Sequence, residues 1–283
     1  MWAWLAHHQS GQPVGAADVA PVAGISIALF ATVGFAAPSV VRGSVGDMDD
    51  VAAGYRERRS RYEGAVLWTK TVDGRASALP VLPDGCMDLI WMAGRLVVAG
   101  PDTQAYHPAE LRSGRYVGIR FFPGTAPALL GVPAHELLNQ RVDLADLWPS
   151  AAVRQLIGRL ECADDQSMAL ERIVLRRSTG AERADPLMRR VAAALAAGRS
   201  VAAVAEAAGL GERTLHRRSL VAFGYGPKTL ARVLRLQRAL ASARGGVPLA
   251  ETAMLAGFAD QAHLSREVRA LAGIPLRELL ARS

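Results

Sequence analysis

Hydrophobic and polar positions change their period along this chain. From residue 64 onward, short apolar runs take the two-residue spacing of a pleated strand: residues 65–72 (AVLWTKTV), 86–92 (CMDLIWM), 95–99 (RLVVA) and 116–122 (YVGIRFF), each bounded by Pro, Gly or Asp. A polar, charged stretch containing Tyr55 and Arg61 precedes them. The period then lengthens to that of a helix over residues 125–130, 135–139, 144–148, 151–161 and 168–177, with loops at 162–167 and 178–185. This order of patterns predicts an α+β chain in which a β-rich part is followed by an all-α part.

In the last hundred residues punctuation and periodicity agree. Asp185 and Pro186 form an N-cap and first-turn pair for a helix through Ala197, which Gly198 ends. Ser200 caps the next helix, with Val201, Val204, Ala205 and Ala208 on one face before Gly209 turns the chain. A further helix starts near Glu212 and closes at Gly224. It sets Leu215, Leu220 and Phe223 toward a core and Arg213, His216 and Arg217 on its start and outer face. A long amphipathic helix over residues 227–243 carries Leu230, Val233, Leu234 and Leu240, with Arg232, Arg235 and Arg238 spaced by three. The plan then recurs: a helix from Pro248 and Leu249 to Ala256, a turn at Gly257, a cap at Asp260, and a helix through Leu271 ended by Gly273. Gln261, His263 and Arg266 point outward from it.

The recurrence is also one of residues. VAEAAGL at 204–210 and TAMLAGF at 252–258 stand 48 positions apart, and each is followed by a Leu and, two positions on, an Arg: Leu215 and Arg217, then Leu264 and Arg266. Paired helix-turn-helix units joined by a long helix are a DNA-reading device. A helix in the major groove must offer Arg to guanine or Gln to adenine, and two on one rigid body meet successive grooves about 34 Å apart.

Charge sharpens this picture. The formal net charge is +7, and residues 183–283 hold 16 Lys and Arg against 7 Asp and Glu, so the basicity belongs to the repeat-bearing end. Such a distribution is the footprint of a partner with a phosphate backbone. Two cysteines, Cys86 and Cys162, with no CxxC and no Cys/His metal spacing, fit a reducing cytoplasm and predict no bound metal or cofactor.

Residues 1–47 differ from the rest. The apolar run from Val22 to Ala37 is 16 residues long, short of the roughly 20 that span hydrocarbon, and lacks flanking Lys or Arg before Arg42. It predicts no membrane anchor, and the alternative of a membrane-tethered interaction protein rests on this run alone. The polar start after Met48 predicts that translation begins there and that the upstream stretch is a poorly ordered or artificial extension.

Residues 183–283 resemble the AraC/XylS-type DNA-binding domain of bacterial transcription regulators. The likeness is carried by Ala205, Gly209, Leu215, Arg217, Gly224, Pro227 and Arg235, then by Ala253, Gly257, Phe258, Leu264, Arg266 and Gly273. It implies a sequence-specific regulator of transcription, with double-stranded DNA and RNA polymerase as partners. It also implies base reading from Arg213, His216 and Arg217 in the first unit and from Gln261, His263 and Arg266 in the second. Thr214, Arg218, Ala262, Ser265 and Arg269 complete the candidate DNA-binding set. Three departures bear on core packing and helix angle: Ser219 and Val268 stand where the family usually has Phe, and Pro275 and Leu276 replace Ser/Thr and Pro. The Phe223 ring is close enough in sequence to fill the space at Ser219.

Residues 55–160 are similar to an N-terminal domain of uncharacterised role in many actinobacterial-type members. LPDGCMDLIW (82–91), GIRFFPG (118–124), VVAGPDT and LLGVPAHEL carry that likeness. The resemblance implies a sensor or dimerisation module, a small cupin-like β-barrel, and thus a small-molecule effector and a homodimer, with no particular ligand. The chain divides on this reading into an extension (1–47), a β-rich domain (48–160), a helical linker (161–184) and the DNA-binding domain (185–283).

Candidate chemistry outside the helical end is thin. Cys86 lies between Asp84 and Asp88, where a thiol could ligate a metal, attack as a nucleophile or accept a methyl group in DNA repair. Two carboxylates raise a neighbouring thiol's pKa, and Asp84-Gly85 reads as a turn, so the inert reading is the stronger. His135-Glu136 begins an HExxH pattern, but Asn139 occupies the second histidine's place. His107, beside Pro108, reads as a loop residue. Trp68, Trp91 and Trp148 line an effector pocket or a core. Arg120, alternating with Phe121, either binds an anionic effector or forms a buried ion pair with Asp84 or Asp88. Asp84, Cys86, Asp88, Trp91 and Arg120 are the candidate effector residues. With no phosphate loop, no GxGxxG and no GxSxG elbow, the sequence predicts no enzyme.

Overall fold

Period-two alternation becomes a six-stranded antiparallel sheet in the computed structural model, which describes residues 54–72, 80–108 and 113–281. The Val22 to Ala37 run and Met48 lie outside those residues. Strands β1 (Tyr55–Arg59), β2 (Ala65–Val72), β3 (Met87–Met92), β4 (Arg95–Ala99), β5 (Gly114–Phe121) and β6 (Arg141–Asp143) pair in the order β1-β2-β5-β3-β4-β6. β2 and β4 have the expected bounds, and β3 and β5 differ from theirs by one or two residues. β1 and β6 are additions. In YRERR the charges hide the alternation, and a three-residue strand has too few positions to show one. Among the described residues the strands form one sheet with β1 and β6 at its edges, rather than the closed ring of a cupin-like barrel.

Register sorts the side chains onto two faces. Leu67 lies opposite Ile119, Ile119 opposite Leu89, and Leu89 opposite Val98. These residues, with Met87, Trp91, Leu96, Val117 and Phe121, make one apolar face. It is covered by α1 (Ala126–Leu130), α2 (Leu144–Leu147), α3 (Ser150–Glu161) and α4 (Gln166–Ser178), through residues such as Leu129, Leu144, Val153, Leu160, Leu170 and Val174. Residues 134–137 form a short 3-10 turn where a helix over 135–139 is expected. α4 begins two residues inside the loop expected at 162–167, because the Asp165 carboxylate accepts from the amides of Ser167 and Met168 and starts the helix there.

From Pro186 the structure is helical: α5 (Pro186–Ala196), α6 (Val201–Ala207), α7 (Glu212–Phe223), α8 (Pro227–Arg244), α9 (Leu249–Ala256), α10 (Gln261–Ala272) and α11 (Leu276–Ala281). The capping side chains are those expected. Asp185 accepts from the Leu187 amide at 2.9 Å, Ser200 from Ala203 at 3.2 Å and Asp260 from His263 at 2.6 Å. The turns inside the two repeats sit at Gly209 (φ 63°) and Gly257 (φ 80°), in the left-handed region. α11 is absent from the sequence reading, in which Pro275 and Leu276 figure only as departures. Pro275 precedes the helix and does not break it. Leu276 and Leu279 bury in the core of the second unit. No helix among the described residues is long and apolar enough to cross a membrane.

One buried carboxylate ties α4 to the start of the sheet. Glu171 has a fully buried side chain. It accepts from Arg58 Nη1 and Nη2 (3.2 and 3.1 Å), Ser60 Oγ (3.0 Å), the Arg61 amide (2.7 Å) and Arg61 Nε (3.0 Å). Desolvation pushes its pKa up, but these donors outweigh that and hold it at about 2. A folded-state pKa below the unfolded one contributes stability that is present above about 4.5 and is lost as pH falls toward 2. Glu171→Gln is therefore expected to cost about 2–3 kcal/mol at pH 7, given how exposed both arginines are. That deficit should shrink as pH falls below about 4.5 and approach zero only near pH 2. Urea unfolding of both proteins across that pH range is the measurement, and a deficit independent of pH would show that the charge is not what stabilises.

Candidate nucleic-acid interface

Two helix-turn-helix units are built on one shared helix. The first comprises α6, the Gly209 turn and α7, and its core holds Val204, Ala205, Leu215, Phe223, Leu230 and Leu234 together with residues of α5. The second comprises α9, the Gly257 turn and α10, and its core holds Ala253, Phe258, Leu264, Val268 and Leu271 together with Leu236, Ala239 and Leu240. α8 thus contributes to both cores along its length. Ser219 is fully buried on α7, in the same core as Phe223, which is 1% exposed, and Val268 is fully buried on α10. The two departures from the family's Phe are therefore core positions.

The candidate contact residues divide by what holds them. On α7, Arg213, His216 and Arg217 are exposed and Thr214 is half-buried. The His216 imidazole lies against the Gly226 backbone, so close that a Cβ there would come within 2.8 Å of its Cδ2. Arg218 is ion-paired with Asp185, the cap of α5, and so fixes α7 to α5. On α10, Ala262, Arg266 and Arg269 are exposed, and Gln261, His263 and Ser265 are half-buried. The His263 ring packs edge-on against Phe258 with centroids 5.3 Å apart, and its Nδ1 accepts from the Ala259 amide at 3.4 Å. His263 therefore braces the turn of the second unit with one side of its ring.

The arginines spaced by three on α8 face inward to other elements of the same frame. Arg232 pairs with Glu267 of α10, Arg235 lies 4.5 Å over the Phe258 ring, and Arg238 Nη1 donates to the Leu195 and Ala196 carbonyls that end α5. Arg213, Arg217, Arg266 and Arg269 form no ion pair among the described residues. The helical part therefore uses one set of cations to hold its shape and leaves another on the surface of the two recognition helices.

The second face of the sheet collects most of the other candidates. Arg120 of β5 lies opposite Asp88 of β3, with Nε 3.4 Å from the Asp88 carboxylate and 3.7 Å from Asp84. Trp68 Nε1 donates to Asp88 at 2.7 Å, and its indole crosses Gly118, where a Cβ would come within 2.2 Å of the ring. Tyr55 stacks on Trp68 and donates to Glu57 at 2.7 Å. Of the two readings of Arg120, the buried ion pair is the one formed. The Asp84 carboxyl is pushed up to about 6 by burial, against the pull of Arg120. The Cys86 thiol is buried and pushed well up by that burial and by Asp84, whose side chain accepts from the Cys86 amide at 2.8 Å. That is the inert thiol of an Asx turn.

Trp91 does not join this group. It points to the helix-covered face with Leu89, because Asp88 and Trp91 differ by an odd number of positions along β3. Trp148 stands in a third place, with Nε1 donating to the Leu130 carbonyl and Arg177 4.8 Å over its ring. The three tryptophans therefore line no common pocket. The sequence carries no signal that places Tyr55, Glu57 and Tyr225 beside this group. The first two come from an unrecognised strand. Tyr225 follows α7 but buries against Gly85, its hydroxyl 3.6 Å from where a Cβ would sit.

Residues 65–143 match the family model described as "Domain of unknown function (DUF6597)", and residues 188–282 match one described as "Helix-turn-helix domain". No curated protein matches the chain. Similar solved structures include a probable AraC family transcriptional regulator from Rhodopseudomonas palustris CGA009, 23% identical, covering 35% of this chain and 97% of its own, with a TM-score of 0.31. ToxT from Vibrio cholerae O395 is 10% identical, covers 81% of this chain and 98% of its own, and has a TM-score of 0.41. Unsaturated fatty acid bound ToxT from Vibrio cholerae strain SCE256 is 12% identical, covers 76% and 86%, and has a TM-score of 0.39. Residues 188–282 are thus similar to a helix-turn-helix domain family, and the stretch similar to DUF6597 precedes them in the chain.

Proposed function

We propose that this chain regulates transcription by site-specific binding of duplex DNA, with α7 and α10 reading neighbouring major grooves and the N-terminal domain modulating the outcome. The observation that carries the reading is the division of the cations. Arg218, Arg232, Arg235 and Arg238 are held by Asp185, Glu267, Phe258 and helix-end carbonyls. Arg213, Arg217, Arg266 and Arg269 stay exposed on two helices that share one frame. Arginine presented from a rigid helix is the side chain that reads guanine bidentately. The partners of this reading are duplex DNA and RNA polymerase. A small-molecule effector and a second copy of the chain belong to it on the family resemblance alone. The helical linker of this reading, residues 161–184, includes α4, and the packing of Leu170, Ile173 and Val174 against the sheet supports narrowing it to residues 179–184.

A cognate duplex is obtained by selecting a random-sequence pool with the full-length chain. Arg217→Ala and Arg266→Ala should each lower affinity for that duplex by about 5- to 150-fold, which is about 1–3 kcal/mol, and leave binding to unrelated duplex nearly unchanged. Equal losses on both kinds of DNA would make these arginines phosphate contacts and remove the claim of base reading. Arg218→Ala, in contrast, should lower thermal stability more than it lowers cognate preference, since its guanidinium is held by Asp185.

Salt supplies a second check. If about four phosphates are contacted by exposed cations other than Arg217 and Arg266, such as Arg213, Arg269, Arg199 and Lys228, binding should weaken by about 100-fold between about 50 and about 200 mM monovalent salt, as counterion release requires. Mobility-shift titrations at several salt concentrations give the slope, and a flat response would rule out a backbone-driven complex.

A further inference from the structure

Two loops of the N-terminal domain reach into the frame that carries the recognition helices, one between β2 and β3 and one between β4 and β5. They are joined to each other by a bridge in which the Val81 and Tyr106 amides each donate to the other's carbonyl at 2.8 Å. They are also fastened to the sheet. Asp84 sits beside Arg120, and Asp102 takes both terminal nitrogens of Arg141, whose guanidinium lies 4.1 Å over the Tyr106 ring. Residues 81–84 and 102–106 of the two loops are thus tied to the sheet and to each other.

Besides the packing of Tyr225 and Leu230 on Gly85, three contacts between the loops and the helical part bear on the recognition helices and the helix between them. At the end of α7, Gly224 lies against Pro101, where a Cβ would approach the ring to 2.6 Å. In the middle of α8, Gln237 is 3% exposed and its Nε2 donates to the Pro83 carbonyl, while Leu82 buries in the core of the second unit. At the end of α10, the Leu271 carbonyl accepts from the Ala105 amide at 2.7 Å. A last-turn carbonyl has no partner inside its own helix, so this bond supplies one from the other domain. The three contacts fall on the end of the first recognition helix, on the helix between the units, and on the end of the second.

We infer that these loops, and not α8 alone, fix the separation and the relative rotation of the two recognition helices, so that the N-terminal domain selects the spacing between the two DNA segments that are read. The inference rests on the DNA-reading proposal above and deepens it. Adding one base pair between two sites displaces the second by about 3.4 Å and turns it by about 35°, which a braced protein meets only by deforming the DNA. A protein braced at one helix only has more freedom to follow.

The test uses the full-length chain and the duplex selected above, together with versions lengthened or shortened by one and two base pairs between the two contacted segments. Wild type should lose about tenfold or more for each single-base-pair change. Ala105→Pro removes the donor to Leu271, and Gln237→Met removes the donor to Pro83 while keeping a long side chain in place. Each should bind the original spacing within about threefold of wild type and lower the one-base-pair penalty to about threefold or less. Thermal melting identifies any variant that has failed to fold, and the other variant then decides. If the folded variants keep the wild-type penalty, α8 alone sets the spacing and the inference is overturned while DNA reading stands. If wild type selects no duplex at all, the DNA-reading proposal falls and takes this inference with it.

Discussion

The helical end depends on α8 being held from several sides at once. Leu230 and Leu234 belong to the first core, and Leu236, Ala239 and Leu240 belong to the second. A helix that supplies two cores cannot rotate without opening both, because close-packed interiors respond to displacement by losing contacts and not by flowing. Its charged face is equally committed. Arg232, Arg235 and Arg238 reach α10, the Phe258 ring and the end of α5. The surface cations of α7 and α10 acquire directional meaning because the element between them is packed into both cores and pinned along its charged face.

The N-terminal sheet solves a different problem with the same economy of parts. One face is apolar and is covered by α1 to α4. The other holds an arginine and carboxylates in an apolar setting of Tyr55, Trp68, Val72 and Tyr116. A buried charge is tolerated only when paired, and Arg120 between Asp84 and Asp88 meets that condition. A network of this kind contributes less to net stability than an apolar core would, but it admits few alternative arrangements. Asp84 is at the centre of it. It faces Arg120, caps the turn at Cys86, and lies in the loop that reaches α8. The polar side of the sheet and the frame that carries α7 and α10 are therefore continuous through a few residues, and Tyr225, buried beside Gly85, closes the joint from the helical side.

Cysteine and histidine chemistry, which the sequence invites, loses its footing in this setting. The Cys86 thiol is pushed up by burial and by an adjacent carboxylate, the reverse of what a nucleophile needs. His263 spends one ring nitrogen on the turn of its own unit. Among the described residues no group of His, Cys, Asp and Glu side chains is arranged to hold a metal ion.

What the sequence determined by itself is everything with a short-range signal. Asp185, Ser200 and Asp260 announce helix starts, Gly209 and Gly257 announce turns, and the alternation of AVLWTKTV and RLVVA announces strands. These follow from backbone hydrogen bonds and steric limits within a few residues, so they survive without knowledge of the fold. The pattern also showed which arginines lie on recognition helices, but not which of them are engaged elsewhere. Only tertiary structure decided that Arg218 belongs to Asp185, that Glu171 meets Arg58 and Arg61 from more than a hundred residues away, and that Trp91 faces away from Arg120. It also decided that Leu82 and Ala105 belong to the packing of the second unit. Such partners are chosen by burial and charge pairing across the folded chain. A desolvated group must find a counterpart wherever the fold brings one, and nothing in the residues beside it records where that will be.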